Sequence, residues 1–264
     1  YPEQIGHLSS CKSPQQMFGA VTKTYYAEKF GIDPKNIFTV GVMPCTAKKF
    51  EVTRDGSAVP GIPDVDVSIT TRELARMIKR HDIDFNALPD GKFDDPLGES
   101  TGAAVIFGVT GGVMEAALRT AYKVVMGHNA PIDAFVNVRG HEGRKEADFK
   151  LGDVTLRTCT VSGLGNARKL MEDLKAGRVR YDFVEVMACP GGCVGGGGQP
   201  IHDGEELACA RGQKLYALDE ARALRQSHNN PDVVELYNKF LGKPLGELSE
   251  KLLHTDHVKE KNYQ

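Results

Sequence analysis

The sequence predicts an α/β fold in which mainly parallel sheets are flanked by helices. Three observations lead there. Short β-branched runs alternate with longer stretches of helical periodicity along the chain, the pattern of parallel strands joined by crossover helices. Gly, Pro and Asp punctuate the junctions between them. The 264 residues, 41% apolar and 26% charged, can bury a sizeable core without staples.

Each element follows in order. Residues 14–30 read as a helix, with Ser13 as N-cap, Pro14 at its first position and Gly31 as its stop. Residues 36–43 form an apolar strand that ends at Pro44, and residues 55–63 a Gly/Pro-rich loop. A strand at 65–69 precedes a helix at 71–83 capped by Thr70 or Thr71. Residues 88–102 are loop-like, and an apolar run at 103–107 leads into a helix at 111–126. Residues 134–139 and 154–161 read as strands, and 164–176 as a helix. A short buried strand at 183–187 runs into a Cys/Gly cluster. Helices at 219–227 and 231–241 follow, and the last twenty residues are polar and read as peripheral. No repeat or clear linker divides the chain. The loops at 55–63 and 88–102 are where lobes could part.

Composition excludes several classes. Lys plus Arg is 33 and Asp plus Glu is 35, a net charge of −2, without the basic excess of a nucleic-acid binder. No apolar run approaches the roughly 20 residues of a membrane span. Six cysteines are too sparse for a disulfide scaffold. The chain opens at Tyr1 without Met or a signal-peptide pattern, so it reads as part of a longer or processed protein.

The cysteines carry the chemistry. Cys45 follows the strand that ends at Met43, and Cys189 and Cys193 follow the strand that ends at Met187. Strand ends of α/β folds face the ligand crevice. Cys189-Pro190-Gly191-Gly192-Cys193 places two thiols on a glycine bed, which the run 195–198 extends. Glycine allows tight turns and leaves room for a bulky inorganic group, and thiolates hold iron–sulfur clusters. Zinc is the other metal, but the short CxxC knuckle of structural zinc is absent. Structural cysteines beside a turn are the plainer alternative, and Cys159 and Cys209 are read that way. The glycine run lacks the Gly-Lys-Ser/Thr of a P-loop, and Gly108–Gly112 lacks the dinucleotide-binding spacing.

Four stretches together resemble the catalytic domain of [FeFe]-hydrogenases. They are Met43-Pro44-Cys45-Thr46-Ala47-Lys48 continuing to Glu51, then Glu185 through Cys193 to Gln199-Pro200, then Phe107 through Arg119, and Leu8 through Gln16. The resemblance covers nearly the whole chain. It implies a two-lobed α/β domain with its active site between the lobes. The chain would be the C-terminal part of one such domain. Residues 1–35 would be a remnant of the first lobe, 36–226 the cluster-binding core and 227–264 a C-terminal helical extension. A first signature, Thr-Ser-Cys-Cys-Pro, is expected upstream of Tyr1 and would supply a further cluster ligand and a proton-shuttling cysteine.

The resemblance also implies a cofactor, the H-cluster. This is a [4Fe-4S] cluster joined through a cysteine sulfur to a di-iron unit with CO, cyanide and a bridging dithiolate. Cys45, Cys189 and Cys193 would be metal ligands, with Cys193 the bridge. Lys48 would donate to a cyanide. Met43, Pro44, Thr46, Pro14, Gln15 and Met187 would line the cofactor, and Phe107, Gly108 and Val113 would wall a dry cavity. Ser9 would belong to a proton relay, and Glu51 could orient Lys48. The implied reaction is reversible reduction of protons to H2, with electrons from a ferredoxin-type or NAD-linked subunit and a di-iron unit installed by maturation proteins. A non-catalytic iron–sulfur assembly factor and an H2 sensor share the resemblance. The compartment implied is the cytoplasm, though the family has periplasmic members. His202 and His254 read as surface residues.

Overall fold

The structure is a computed structural model, and it describes residues 1–140 and 143–259. The chain divides into two compact units: Tyr1–Asn86 with the chain from Glu235 onward, and Ala87–Val234.

In the first unit, helix α1 (Pro14–Val21) begins as the sequence predicts. Ser13 Oγ accepts the Gln16 N–H at 3.5 Å and Pro14 occupies the first turn. The single helix expected over 14–30 is interrupted. A π-turn at Thr22–Tyr26 joins α1 to α2 (Ala27–Phe30), and Gly31 ends the run at φ 63°. Thr22 and Thr24 hydroxyls bond back to the Phe18 and Ala20 carbonyls, a side-chain competition that bends helices. Strand β1 is Val40–Met43, shorter than the expected 36–43. The Asp66 carboxylate takes the Thr39 N–H at 2.6 Å, a donor that a longer ladder would need. Strand β1 leads to helix α3 (Ala47–Glu51) and pairs in parallel with β2 (Val67–Thr70), Met43 opposite Thr70. Helix α4 (Thr71–Arg80) opens with a full capping box between Thr70 and Glu73. It stops short of residue 83 because Asp82 turns left-handed at φ 52°.

The second unit opens with α5 (Gly102–Ile106) and α6 (Gly112–Met126). The strand expected at 134–139 is instead a 3-10 turn, Val136–Val138. Phe135 and Val138 lie three residues apart, and the turn sends both into the core formed with Met114, Leu118, Phe149 and Leu151. Strand β3 (Arg144–Leu151) has no counterpart in the sequence reading; it pairs antiparallel with β4 (Val154–Ser162). Helix α7 (Leu164–Lys175) connects β4 to its parallel neighbour β5 (Phe183–Met187). Among the described residues two of the three strand pairings are therefore parallel, and the longest is an antiparallel hairpin. Helix α8 is Ala208–Ala221, not the 219–227 expected. Residues beyond it are drawn out because the Leu224 and Arg225 carbonyls accept the Gly102 and Ala103 N–H groups.

Helix α9 (Pro231–Leu236) runs into a π-turn at Tyr237–Leu241. Helix α10 (Glu247–Leu253) returns to the first unit. The expectation that this tail is peripheral fails: Ser249, Leu252 and Leu253 are buried, and the Leu253 carbonyl accepts the Lys12 N–H at 2.9 Å. Apolar positions in an otherwise polar segment supply that anchor.

Candidate metal centre

The first unit presents one part of the predicted site. Strand β1 ends at half-buried Met43, and Pro44 and Cys45, also half-buried, lead through exposed Thr46 into α3. In the first turn of α3, the Lys48 ammonium pairs with the Glu51 carboxylate. Glu51 also accepts the Ser13 hydroxyl and the Gln15 side-chain amide, and its carbonyl accepts Gln16 Nε2 at 3.3 Å. Glu51 thus ties α3 to the start of α1 and holds Lys48 from one side. Gln15 is buried and its Oε1 has no hydrogen-bond partner. Gly41 on β1 faces it; a Cβ there would lie 2.5 Å from that oxygen. Pro14 is exposed. Ser9 is exposed, and its Oγ accepts the Cys11 N–H at 3.2 Å. Cys11 itself bridges to His254, whose Nδ1 meets Ser10 Oγ at 2.8 Å.

The second unit carries the cysteine turn. Strand β5 ends at Met187, and Cys189 and Cys193 sit half-buried on one tight turn after it. The Gly192 N–H donates to the Cys189 carbonyl at 3.0 Å, and the Gly196 N–H to the Cys193 carbonyl at 2.9 Å. Gly191 and Gly192 adopt φ of 79° and 95°, conformations that favour glycine. The turn is pinned beneath the loop before α6. Thr110 N–H donates to the Gly191 carbonyl at 3.1 Å, and Val194 N–H to the Gly108 carbonyl at 2.9 Å. The Ser162 hydroxyl accepts the Gly191 N–H at 2.9 Å. Phe107, Gly108 and Val113 are half-buried around this loop.

Glu185 lies in a stretch that carries the family resemblance, yet no motif in the sequence marks its role. It is 7% exposed on β5, and its two oxygens accept the Gly111 and Met114 N–H groups at 2.6 and 2.7 Å. Burial pushes its carboxyl upward, opposed by backbone N–H donors from Gly111, Met114 and Val113. An acid at an inward position between Val184 and Val186 was the available signal. Thr110 is the other omission. It is 2% exposed and its hydroxyl has no hydrogen-bond partner.

These observations test the donor set. Two soft thiols on a glycine turn suit an iron–sulfur group. Among the described residues none of the six cysteines is in a disulfide. The glycine cradle would be filled by side chains: a Cβ on Gly192 would come within 2.7 Å of the Thr110 nitrogen, and one on Gly195 within 2.3 Å of the Pro190 carbonyl oxygen. The orphaned Thr110 hydroxyl lies in the loop bonded to that turn. The residues fit a thiolate-bound cluster. Among the described residues no group of three or more His, Cys, Asp or Glu side chains is assembled as a metal site. Cys189 and Cys193 are thus the pair that local structure brings onto one turn. Buried Cys159, its thiol pushed up by desolvation, stands apart from them on β4, and Cys209 is exposed.

The family model described as iron only hydrogenase large subunit, C-terminal domain, matches residues 1–197. The chain belongs to the iron-only hydrogenase family. A second model of the family, iron hydrogenase small subunit, matches residues 205–260. The NADP-reducing hydrogenase subunit HndD of Solidesulfovibrio fructosivorans is 55% identical over 98% of this chain and 44% of its own length. The solved structure of [FeFe]-hydrogenase HydA1 from Chlamydomonas reinhardtii superposes with a TM-score of 0.83 at 43% identity, covering 98% of this chain and 72% of that one. More distantly, the cytosolic iron-sulfur assembly component 3 of Bos taurus is 31% identical over 97% of this chain and 55% of its own length. The chain spans about half the length of the curated relatives it matches. Iron-only hydrogenases of this kind carry the H-cluster, and the iron–sulfur character expected from the cysteines agrees with that membership. Among the described residues no helix is long and apolar enough to cross a membrane.

Proposed function

We propose that the protein containing this chain interconverts H2 with protons and electrons at an H-cluster. The observation that carries the reading is the Cys189–Cys193 turn, clamped under the Phe107–Val113 loop in a chain of this family. When bound, the H-cluster supplies the electron storage and the iron centre at which H2 is formed or split. Cys45, Cys189 and Cys193 would hold its iron as thiolates. Lys48 offers ammonium N–H donors to an anionic cyanide, while Glu51 fixes its approach. Met43 and Met187 give soft, polarisable packing. Pro14, Gln15, Pro44 and Thr46 border the cofactor, and Phe107, Gly108 and Val113 keep water away from it. Ser9 hands protons on, since a hydroxyl that accepts the Cys11 N–H still has its own proton to donate.

Electrons come from a ferredoxin-type or nicotinamide-linked partner, and the name of the 55% identical relative favours the second. Maturation proteins install the di-iron unit. The cytoplasm, where thiols stay reduced, is the compartment of this reading. Retention of Met43-Pro44-Cys45 with Lys48 favours a hydrogenase over an assembly factor.

The test is infrared spectroscopy of the full-length protein, produced anaerobically with the di-iron maturation proteins. Sharp CO and cyanide bands together with H2 turnover are expected. Iron and sulfide without those bands, where a control hydrogenase matures normally, would overturn the reading in favour of a cubane-only scaffold. Bands without appreciable turnover would instead indicate a sensor.

A further inference from the structure

We propose that Glu185 is a positioning residue for the metal centre: its carboxylate latches the Phe107–Val113 wall to the cysteine turn. The proposal rests on the hydrogenase reading above. Glu185 sits on the strand that runs directly into Cys189, and it is buried. Both oxygens point their lone pairs at the first turn of α6, through Gly111 N–H at 2.6 Å and Met114 N–H at 2.7 Å. A carboxylate there satisfies orphan N–H groups and complements the positive end of the helix dipole. Its charge is met by backbone N–H groups rather than by an arginine: Arg119 and Arg139 pair with Glu115 and Asp219. Glu185 therefore spends its acceptors on the wall.

The wall in turn grips the turn that carries the thiols. The bonds from Thr110 N–H to the Gly191 carbonyl and from Val194 N–H to the Gly108 carbonyl cross between them. There is no slack in either direction. A Cβ on Gly192 would approach the Gly108 carbonyl oxygen to 2.9 Å, and one on Gly111 the Val138 carbonyl oxygen to 2.1 Å. One carboxylate thus fixes two things at once: the end of the strand that delivers Cys189, and the loop whose Phe107, Gly108 and Val113 face the cofactor in the proposed function. Moving the carboxylate moves the wall relative to the Cys193 sulfur.

Two readouts on the full-length protein test this, using Glu185→Asp, Glu185→Gln and Glu185→Ala. The first is hydrogen exchange of cluster-free protein. Amides over residues 108–114 are expected to exchange about tenfold faster or more, while the β3–β4 hairpin keeps its protection. The second is the infrared spectrum of matured protein, in which the CO and cyanide bands are expected to shift in Glu185→Asp and Glu185→Gln. Where Glu185→Ala fails to fold, the other two variants carry both measurements. Unchanged exchange over 108–114, or exchange raised equally in the hairpin, overturns the proposal, the latter because it marks a general core role. Bands present but unmoved also overturn it. Bands missing from the unsubstituted protein overturn the hydrogenase reading instead, a result distinguishable from failure of the latch.

Discussion

A methyl group on Gly192 would meet the Thr110 nitrogen at 2.7 Å in a backbone already at φ 95°. Gly192→Ala is therefore expected to cost about 1–3 kcal/mol, read as a lower urea midpoint. Gly165, in α7 with open space around its Cβ position and no positive φ, gives the opposite sign. Gly165→Ala should stabilise by about 0.4–1 kcal/mol. Lys48 belongs to the same scale. Lys48→Met keeps much of the volume and removes the donor to the proposed cyanide. The infrared bands of matured protein should weaken on the order of tenfold, while the visible absorption of the four-iron cluster persists. The Cys/Gly spacing was legible because it is local. The reach of Glu51 to Ser13 and Gln15 was not, because those partners lie 38 and 36 residues away.

At the scale of elements, helix starts were easier to read than helix continuity. The Thr70–Glu73 box is written in four consecutive residues, and the structure selects Thr70 over Thr71 because its hydroxyl accepts the Glu73 N–H at 3.1 Å. Thr70→Ala should cost about 1 kcal/mol, seen as a lower thermal midpoint with Thr71→Ala as the milder comparison. The π-turn at Thr22–Tyr26 breaks no propensity rule and arises from threonine back-bonding. The 134–139 segment has strand composition, yet its two buried residues sit three apart and take a turn. Strand β3 hides its inward alternation, Ala147, Phe149 and Leu151, among five charged residues.

At the scale of the whole chain, a buried ionic cluster joins segments that match two different family models. Arg119 donates to both Asp219 oxygens, at 2.9 and 2.7 Å, and Arg225 also pairs with Asp219. Glu115 pairs with Arg119 and Arg139. Arg119 and Glu115 lie in the segment matched as large subunit, Asp219 and Arg225 in that matched as small subunit. Burial raises the Asp219 carboxyl, and the hydrogen bonds and charges of Arg119 and Arg225 outweigh it, bringing it to about 2. Its folded value lies below the ordinary value near 4. The contribution to stability is thus complete above pH 4 and lost as pH falls from 4 through 2. Asp219→Ala should cost about 3–5 kcal/mol at neutral pH, because Arg225 loses its carboxylate and Arg119 is left with Glu115 alone. It should also flatten the acid limb of a pH–stability curve. Residues 201–206 are all exposed. Protein nicked there is expected to co-elute as one species at neutral pH on size exclusion.

The sequence by itself determined the α/β class, the strand ends that carry Cys45, Cys189 and Cys193, the glycine bed between the last two, and the resemblance that led to the family. All of these are encoded in short spans, because thiolate chemistry and positive-φ turns constrain neighbouring residues directly. Only the tertiary structure decided what holds those spans still. The Glu185 latch on α6 joins residues 71 and 74 positions apart, and the Asp219 cluster spans 100. Buried charges take whichever donors the packed chain brings to them. That choice follows from the fold's closure rather than from any local pattern.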